Sequence, residues 1–166
     1  MTGKIIIYTD GSARGNPGPA GWGAIIMIYN DEEKVENKKL KVVELGGRVD
    51  HATNNIMELT APIESLKYLQ QNKIENNNIE IFSDSKYVIT GINEWILNWM
   101  NNNWRTANKK PVLNKELWQE LHELNKEFKP KWNYVKGHNN DEHNDRADLI
   151  ATSFADGEPV ELRNKK

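Results

Sequence analysis

Two aspartates each stand shortly after an apolar run of the sequence. Asp10 follows the run Ile5 to Tyr8, and Asp84 follows the run Ile79 to Phe82. Both runs are rich in β-branched and aromatic residues, which favours buried β-strands. Ligands of open α/β sheets gather in the crevice at the carboxyl ends of the strands. The two carboxylates are therefore candidates for one common site.

Two further acids, Glu58 and Asp148, lie in segments that are predicted to be helices. If both helices pack on the sheet, all four carboxylates can face the same edge. Such a cluster is repulsive unless cations neutralise it, and oxygen ligands in a chain without cysteine favour Mg²⁺ or Mn²⁺. Any one of these acids taken alone could equally be a surface charge or a helix cap. The hypothesis of a metal site therefore depends on the four acids taken together.

The elements that must position these acids are three strands, a helix, a strand, two helices, a strand and a helix. The apolar runs Gly21 to Tyr29 and Leu40 to Val49 follow the first strand, which predicts an antiparallel meander. Helical spacing then predicts a helix over Asn54 to Gln71. A right-handed crossover through that helix lays the fourth strand parallel to the first. In this α/β arrangement the strand ends that carry Asp10 and Asp84 meet.

The remaining segments complete one domain. Residues 1–155 are predicted to form it, and the polar tail 156–166 is expected to be loosely ordered. Asn114 is the expected N-cap of the second-last helix. Pro62 removes a backbone hydrogen bond within the first helix, which predicts a kink or a loosened turn at that point.

The composition is that of a soluble globular protein, with 37% hydrophobic and 28% charged residues among 166 positions. Cysteine is absent, which excludes disulfides and thiolate metal sites and fits a reducing compartment. The apolar run before Asp10 is too short for a signal peptide or a membrane span. We therefore expect a cytoplasmic protein that does not enter membranes.

One region is locally basic although the formal net charge is −2. From position 86 to position 115 one acid, Glu94, stands among five bases and several tryptophans. A solvated loop would explain the charges, and core packing would explain Trp99. Trp104 lies among polar and basic residues, which favours stacking on nucleotides beside side chains that bind phosphates. The bases of this region are Lys86, Arg105, Lys109, Lys110 and Lys115.

Five stretches of the chain, in order, resemble signatures of the bacterial type 1 ribonuclease H family. The stretch WILNWMNNNWRTANKKPVLNKELW is similar to that family's tryptophan-rich basic protrusion, and the other four resemble the motifs that contain its acids. The resemblance covers essentially the whole chain. The stretches are Thr9 to Ala24, Thr53 to Leu59, Ser83 to Val88, Trp95 to Trp118 and Val135 to Asp148.

The resemblance implies a ribonuclease H-like fold, in which helices flank a five-stranded mixed sheet. It also implies an endonuclease that uses two Mg²⁺ ions, with Mn²⁺ as a possible substitute, to cut the RNA strand of RNA–DNA hybrids into 5′-phosphate and 3′-hydroxyl ends. We expect a monomer whose partner is the hybrid duplex, without an obligate protein partner. His138 is implied in proton transfer or product departure. The implied metal ligands are Asp10, Glu58, Asp84 and Asp148.

An enzyme for hybrids must distinguish ribose from deoxyribose. The resemblance assigns Asn16, Asn54 and Asn55 to the minor groove and the RNA sugars, although Asn54 could also cap its helix. Thr53 resembles the family's contact to a DNA phosphate near the site. The other expected substrate contacts are Gly11, Lys86, Trp99, Trp104, Arg105, Lys109 and Lys110.

The sequence departs from the family pattern at positions near these contacts. His51 and Ile56 stand where arginines are frequent, and Lys86 stands where a glutamine is common. Asparagines at 101–103 replace residues that are often basic. These departures leave the four acids intact, so we expect a raised Michaelis constant for the hybrid with turnover retained.

Two other classes of function remain open at the level of sequence. A non-catalytic hybrid-binding module is one, but a pure binder has no reason to hold four carboxylates near phosphates. Another ribonuclease H-like nuclease, such as a junction resolvase or a transposase core, is the second. The pair Asn54 and Asn55 and the basic protrusion favour a hybrid nuclease over that second class.

Overall fold

The first three strands form an antiparallel meander. β1 (Thr2–Ala13) pairs with β2 (Gly18–Asn30), and β2 pairs with β3 (Leu40–Ala52). Their apolar, β-branched composition suits strands that are covered on both faces.

The structure is a computed structural model that describes residues 2–30, 40–75, 78–136 and 141–165.

The crossover that the sequence predicts connects this meander to two parallel strands. α1 (Asn54–Gln71) leads from β3 to β4 (Ile79–Ser83), which lies parallel to β1. β5 (Lys131–Tyr134) lies parallel to β4 in turn. The strand order β5-β4-β1-β2-β3 confirms the predicted five-stranded mixed sheet, and a short sixth strand extends it beyond β3.

The two faces of β1 pack against different helices. Ile7 is fully buried in the cluster that also contains Leu59 of α1. Tyr8 packs instead against a cluster that contains Ile150 of α5 (Glu142–Ala155). Successive side chains of a strand point to opposite faces, so one apolar run supplies both layers of the core.

The chain between β4 and β5 is mainly helical. α2 (Lys86–Thr90) continues through a π-helical turn (Gly91–Trp95) into α3 (Ile96–Asn101), and α4 (Lys115–Phe128) packs against α1. Across the described part of the chain, no helix combines the length and the hydropathy that a membrane crossing requires. The buried stripe of α4 consists of Trp118, Leu121, Leu124 and Phe128.

Two sequence expectations concern α1 and α4. α1 runs through Pro62 without interruption, and Leu59 and Ile63 on either side of the proline are buried in the core. Asn114 does precede α4, but its φ is 61° and its side chain makes no capping bond to the helix. Its amide donates instead to the hydroxyl of Tyr87 at 3.1 Å.

The polar tail, for which loose order is expected, makes contacts with the sheet and with α5. The short strand β6 (Asn164–Lys165) pairs antiparallel with β3 opposite Val42 and Val43. Further back, the N–H of Val160 donates to Oγ of Ser153 at 3.1 Å. Composition gave no sign of this attachment, because the partner strand lies far earlier in the chain.

Candidate active site

The carboxyl end of β1 and the first turns of α1 touch at Gly11. A Cβ atom there would lie 2.4 Å from the backbone nitrogen of Glu58, so the close approach requires glycine. The N–H of Gly11 donates to Oδ1 of Asp10 at 2.8 Å and to Oε1 of Glu58 at 2.9 Å. One backbone donor thus holds two carboxylates side by side.

Asp84 joins these two acids from the neighbouring strand. Thr9 of β1 lies opposite Ser83 of β4, so the next residue along each chain comes to the same level of the sheet edge. Ligand oxygens of Asp10, Glu58 and Asp84 lie within 4.8 Å of one another. The parallel pairing of β1 and β4 therefore produces the cluster that the sequence predicts.

Burial and repulsion both disfavour the ionised form of this cluster. Asp10 is 4% exposed and Glu58 is 8% exposed. Burial raises the pKa of Asp10 most, and the charge of Glu58 and a hydrogen bond to it raise that pKa further. Burial also raises the pKa of Glu58, although hydrogen bonds from Asp10 and from the N–H of Gly11 oppose the change. The pair therefore tends to retain a proton near neutral pH when no cation is bound.

One carboxylate oxygen of this pair has no donor when both acids are ionised. Oε2 of Glu58 is buried and accepts no hydrogen bond from the described residues. A hydrogen bond between Asp10 and Glu58 needs a proton that the two share. A buried anion without compensation is costly, and carboxylate oxygens are the ligands that hard divalent cations prefer. The side chains present at this site therefore fit a divalent metal ion.

The fourth acid approaches from α5, which covers the other face of the sheet. Asp148 is half-buried, and its charge raises the pKa of both Asp10 and Glu58. Among the described residues, the group within 4.8 Å comprises the other three acids. The structure thus clusters three of the four predicted ligands and places the fourth within electrostatic reach of them.

The predicted amide contacts fasten the β1–β2 loop to the start of α1. Oδ1 of Asn16 accepts the N–H of Asn54 at 2.8 Å, and Oδ1 of Asn54 accepts the N–H of Ala13 at 2.7 Å. Thr53 is the N-cap of α1, because its Oγ1 accepts the N–H of Ile56 at 3.1 Å. The side chain of Asn54 therefore binds the backbone of Ala13, and Thr53 caps the helix in its place.

Two more predicted contacts flank the acids. Asn55 is half-buried in the first turn of α1, and Lys86 is exposed at the start of α2. The ammonium group of Lys86 lies 5.8 Å from the ring centroid of Tyr134. Tyr134 is 45% exposed and lies opposite Ser83 at the end of β5. Sequence reasoning missed this tyrosine, although its place at a strand end was a usable signal.

The loop between α3 and α4 is organised by its own hydrogen bonds. The amide of Asn102 donates to the carbonyl oxygens of Arg105 at 3.0 Å and Thr106 at 3.2 Å. The N–H of Thr106 donates to the carbonyl oxygen of Lys110 at 2.8 Å. The structure therefore presents three predicted basic contacts at the surface: Arg105, Lys109 and Lys110.

Trp99 and Trp104 belong to an aromatic cluster beside that loop. The ring centroid of Trp99 lies 5.3 Å from that of Trp118 and 6.3 Å from that of Trp104. Trp118 is fully buried, and its Nε1 donates to the hydroxyl of Tyr87 at 2.9 Å. Packing thus accounts for much of the surface of Trp99 and Trp104, which are both half-buried.

The predicted catalytic histidine, His138, lies outside the described residues.

Asp141 caps α5, because its Oδ1 accepts the N–H groups of His143 at 2.9 Å and Asn144 at 3.1 Å. Its Oδ2 accepts the hydroxyl of Tyr8 at 3.3 Å. Burial and the neighbouring Asp141 raise the pKa of Tyr8 to about 12, which keeps the phenol protonated as a donor. Nothing in the local sequence pattern indicated the contact between Tyr8 and Asp141.

The sequence model of the RNase H family matches residues 2–156 of the chain. A curated relative named ribonuclease H, from Ruthia magnifica subsp. Calyptogena magnifica, is 50% identical over 153 residues. The matched part is 92% of this chain and 96% of that protein. The similarity therefore extends over almost the full length of both proteins.

Solved structures with the same fold include two proteins named RNase H1. LC9-RNase H1, a type 1 RNase H with the type 2 active-site motif, matches with a TM-score of 0.84 at 22% identity, over 99% of this chain and 79% of that one. LC11-RNase H1, solved in complex with an RNA/DNA hybrid, matches with a TM-score of 0.58 at 33% identity, over 93% of this chain and 98% of that one. At 22% identity, the similarity to LC9-RNase H1 concerns the fold alone.

Proposed function

The chain belongs to the RNase H family, and we propose on that premise that it is an endonuclease that hydrolyses the RNA strand of RNA–DNA hybrids. The products carry 5′-phosphate and 3′-hydroxyl ends. The observation that supports this most directly is the group of three carboxylates within 4.8 Å, next to the point where the parallel pairing of β1 and β4 ends. That group occurs in a chain that is 50% identical to a ribonuclease H over 92% of its length.

The proposed metal ligands are the four acids Asp10, Glu58, Asp84 and Asp148, which would hold two Mg²⁺ ions, or Mn²⁺ in their place. When bound, such ions stabilise charge on the scissile phosphate and lower the pKa of the attacking water. The buried oxygen Oε2 of Glu58, which lacks a hydrogen bond from the described residues, supports this assignment. The preference for Mg²⁺ rests on the hardness of an all-carboxylate donor set.

The protein's own groups prepare the site for that chemistry. The N–H of Gly11 fixes the carboxylates of Asp10 and Glu58 before any ligand arrives, so the site needs little reorganisation. Burial of both acids excludes water and strengthens their attraction for cations. We propose that His138 assists proton transfer or product departure, a role that rests on the family resemblance.

Hybrid recognition is proposed to use the amides that join the β1–β2 loop to α1. The oxygens of Asn16 and Asn54 already accept backbone N–H groups, so their NH₂ groups are the atoms left to donate to ribose hydroxyls. Asn55 adds a third amide in the same turn. Thr53 caps the helix N-terminus, which is a favourable place for a DNA phosphate, and the backbone at Gly11 lies next to the acids.

The exposed bases of the α3–α4 loop are proposed to bind phosphates of the hybrid. Arg105, Lys109 and Lys110 are all exposed and supply charge without sequence information. Trp99 and Trp104 support this loop by packing, and their remaining exposed surface is proposed to contact the duplex. Lys86, which lies over the ring of Tyr134, is proposed to meet the hybrid between the loop and the acids.

The extent of the domain, its assembly, its compartment and its partner complete the proposal. We place the catalytic domain within residues 1–155 and propose that it acts as a monomer without an obligate protein partner. The absence of cysteine is compatible with activity in the cytoplasm, which we also propose. The hybrid duplex is the expected partner.

The proposal is tested with a panel of end-labelled nucleic acids in Mg²⁺. We expect cleavage of the RNA strand of an RNA–DNA hybrid and no cleavage of single-stranded RNA, duplex RNA, duplex DNA or four-way DNA junctions. Cleavage of junctions would favour a resolvase, and binding of the hybrid without cleavage would favour a binding module. Either result would contradict the proposed activity.

A further inference from the structure

A buried ion pair joins α5 to β3 on the side of the sheet that α5 covers. Nε and Nη2 of Arg146 donate to the two carboxylate oxygens of Glu44, each at 2.8 Å. The side chain of Glu44 is 2% exposed and that of Arg146 is 15% exposed. Two parallel bonds from a planar guanidinium fix direction as well as distance. The pair therefore defines how α5 is oriented against β3.

The end of the chain completes this ion pair. The N–H of Arg163 donates to Oε1 of Glu44 at 2.7 Å, and the N–H of Glu44 donates to the carbonyl oxygen of Arg163 at 2.9 Å. Nη2 of Arg146 also donates to the carbonyl oxygen of Glu161 at 2.9 Å. The tail thus supplies partners to both members of the pair, which explains why a polar segment is held on the sheet.

Arg146 stands two residues before Asp148 on the same helix. Successive helical residues are separated by about 100° around the axis, so the two side chains leave α5 on nearly opposite sides. Asp148 is near enough to the acid cluster for its charge to raise the pKa of Asp10 and Glu58. Any rotation of α5 that displaces Arg146 from Glu44 must also displace the carboxylate of Asp148.

The sheet surface below α5 permits very close contact. A Cβ atom on Gly21 would lie 2.3 Å from the carbonyl oxygen of Ala151, and one on Gly23 would lie 2.7 Å from that of Ala147. Where glycines face the helix, no side-chain ridge from these strand positions interlocks with it. Ile150 and Phe154 of α5 pack into the space left by Gly23 and Gly46, and the directional bonds of Arg146 to Glu44 add a second restraint on the rotation of the helix.

We propose that Arg146, held by Glu44 and the C-terminal strand, is a positioning residue for Asp148 in the metal site. Neither Arg146 nor Glu44 touches the acid cluster or the substrate in this account. Their effect passes through α5, which places the fourth carboxylate next to the other three. The inference rests on the proposed role of Asp148 as a metal ligand.

The test compares Arg146→Lys with a matched core variant, Leu124→Val. Lysine keeps the charge but cannot make two parallel bonds to Glu44. Leu124 lies on α4 in the core on the opposite side of the sheet, so its truncation lowers stability without touching α5. Each variant is assayed well below its melting temperature. The readouts are kcat and KM for the hybrid, the Mg²⁺ concentration for half-maximal rate, and the rise in melting temperature that Mg²⁺ causes without substrate.

For Arg146→Lys we expect kcat to fall and the half-maximal Mg²⁺ concentration to rise by about tenfold, because partners that orient metal ligands have effects of this size. The Mg²⁺-induced rise in melting temperature should shrink, and KM for the hybrid should stay unchanged. Leu124→Val should alter none of these readouts. Glu44→Asp, which keeps the carboxylate on a shorter stem, should fall between wild type and Arg146→Lys.

The inference is overturned if Arg146→Lys lowers only the melting temperature, as Leu124→Val does, because the pair would then be structural. A change confined to KM would also overturn it, since Arg146 would then act on substrate binding. Failure of the proposed function is a separate outcome. In that case the wild-type protein itself shows neither hybrid cleavage nor a Mg²⁺-induced rise in melting temperature.

Discussion

Two glutamates of this protein are buried to a similar degree and have opposite surroundings. Glu44 is 5% exposed and Glu58 is 8% exposed. Glu44 receives two bonds from Arg146 and one from the N–H of Arg163. Glu58 accepts the N–H of Gly11 on Oε1, its Oε2 accepts none from the described residues, and a bond with Asp10 needs a proton shared between the two acids.

The opposite surroundings give opposite pKa shifts. Burial by itself raises the pKa of Glu44, but hydrogen bonds from Arg146 and from the N–H of Arg163 outweigh it and hold that pKa below its ordinary value. Burial raises the pKa of Glu58, and nearby acids prevent its partners from reversing the change. A buried carboxylate that the fold compensates is thus part of the structure. One that the fold leaves uncompensated indicates a ligand from outside, here a cation.

The largest expected difference between the two glutamates is in catalysis. Glu58→Gln should lower the rate of hybrid cleavage about a thousandfold, because loss of a metal ligand removes several kcal/mol of transition-state stabilisation. Glu44→Gln should lower it about tenfold at most, since that residue acts only through α5. Initial rates in saturating Mg²⁺ measure both effects. Equal losses in the two variants would contradict the distinction between them.

In the free energy of unfolding, disruption of the Glu44–Arg146 pair should have the larger effect, although its effect on catalysis is the smaller. Arg146→Met leaves the charge of Glu44 buried without its counter-ion, which should cost about 3 to 5 kcal/mol in the free energy of unfolding. The double variant Glu44→Leu with Arg146→Met should recover most of that loss, because it removes both charges. Urea unfolding monitored by circular dichroism measures these values. A loss for the single variant below about 1 kcal/mol, as for an exposed pair, would contradict this prediction.

Added Mg²⁺ should stabilise the acid cluster and leave the ion pair unaffected. A ligand present at a hundred times its dissociation constant raises the free energy of unfolding by about 2.7 kcal/mol. We expect a rise of this kind in wild type and a much smaller one in Glu58→Gln, measured by thermal melting with and without Mg²⁺. An equal rise in both proteins would mean that the cation binds elsewhere.

An effect of similar size to that of Mg²⁺ is the pH dependence of stability in the presence of a chelator. Asp10 and Glu58 have raised folded pKa values, so the folded state gains protons over the unfolded state, and stability rises as pH falls from 7 towards 5. The contribution of Glu44 has the opposite sign. It is present above the unfolded pKa of about 4.3 and is lost as pH falls through the lower folded pKa.

The gain from this pair between pH 7 and pH 5 should be about 3 kcal/mol, since one proton that only the folded state retains changes the free energy of unfolding by about 1.4 kcal/mol per pH unit. Asp10→Asn should reduce this gain, because one of the two shifted carboxyls is gone. Urea unfolding at both pH values measures it. If wild type is instead less stable at pH 5 than at pH 7, the raised pKa values of the acid pair do not govern its stability.

Much of the fold could be predicted because its signals are local. The apolar runs that end before Asp10 and Asp84 identified two parallel strands, and the crossover rule brought their ends together. The tail could not be predicted in this way. Glu44 and Arg146 are 102 positions apart, and no periodic pattern links them. Composition alone marks the tail as polar, and it is the buried carboxylate on β3 that gives those polar groups partners.

The site was predicted less evenly than the fold. Three acids converge as the strand and helix order requires, whereas the placement of Asp148 depends on how α5 lies on the sheet. In the fold, Asn114 does not cap α4 with its side chain, because its φ of 61° differs from the extended backbone of an N-cap. Tyr134 was missed although it stands at a strand end, and its proximity to Lys86 arises only once β5 has joined β4.

The most direct test of the central claim is the initial rate of cleavage of an end-labelled RNA–DNA hybrid against Mg²⁺ concentration, for wild type and Asp10→Asn. Melting curves in a chelator establish that both proteins are folded. We predict saturable, Mg²⁺-dependent cleavage by wild type and none above background by Asp10→Asn, which should be at least as stable as wild type. A folded Asp10→Asn protein that cleaves the hybrid with the same Mg²⁺ dependence would contradict the claim that the buried acids hold the catalytic metal.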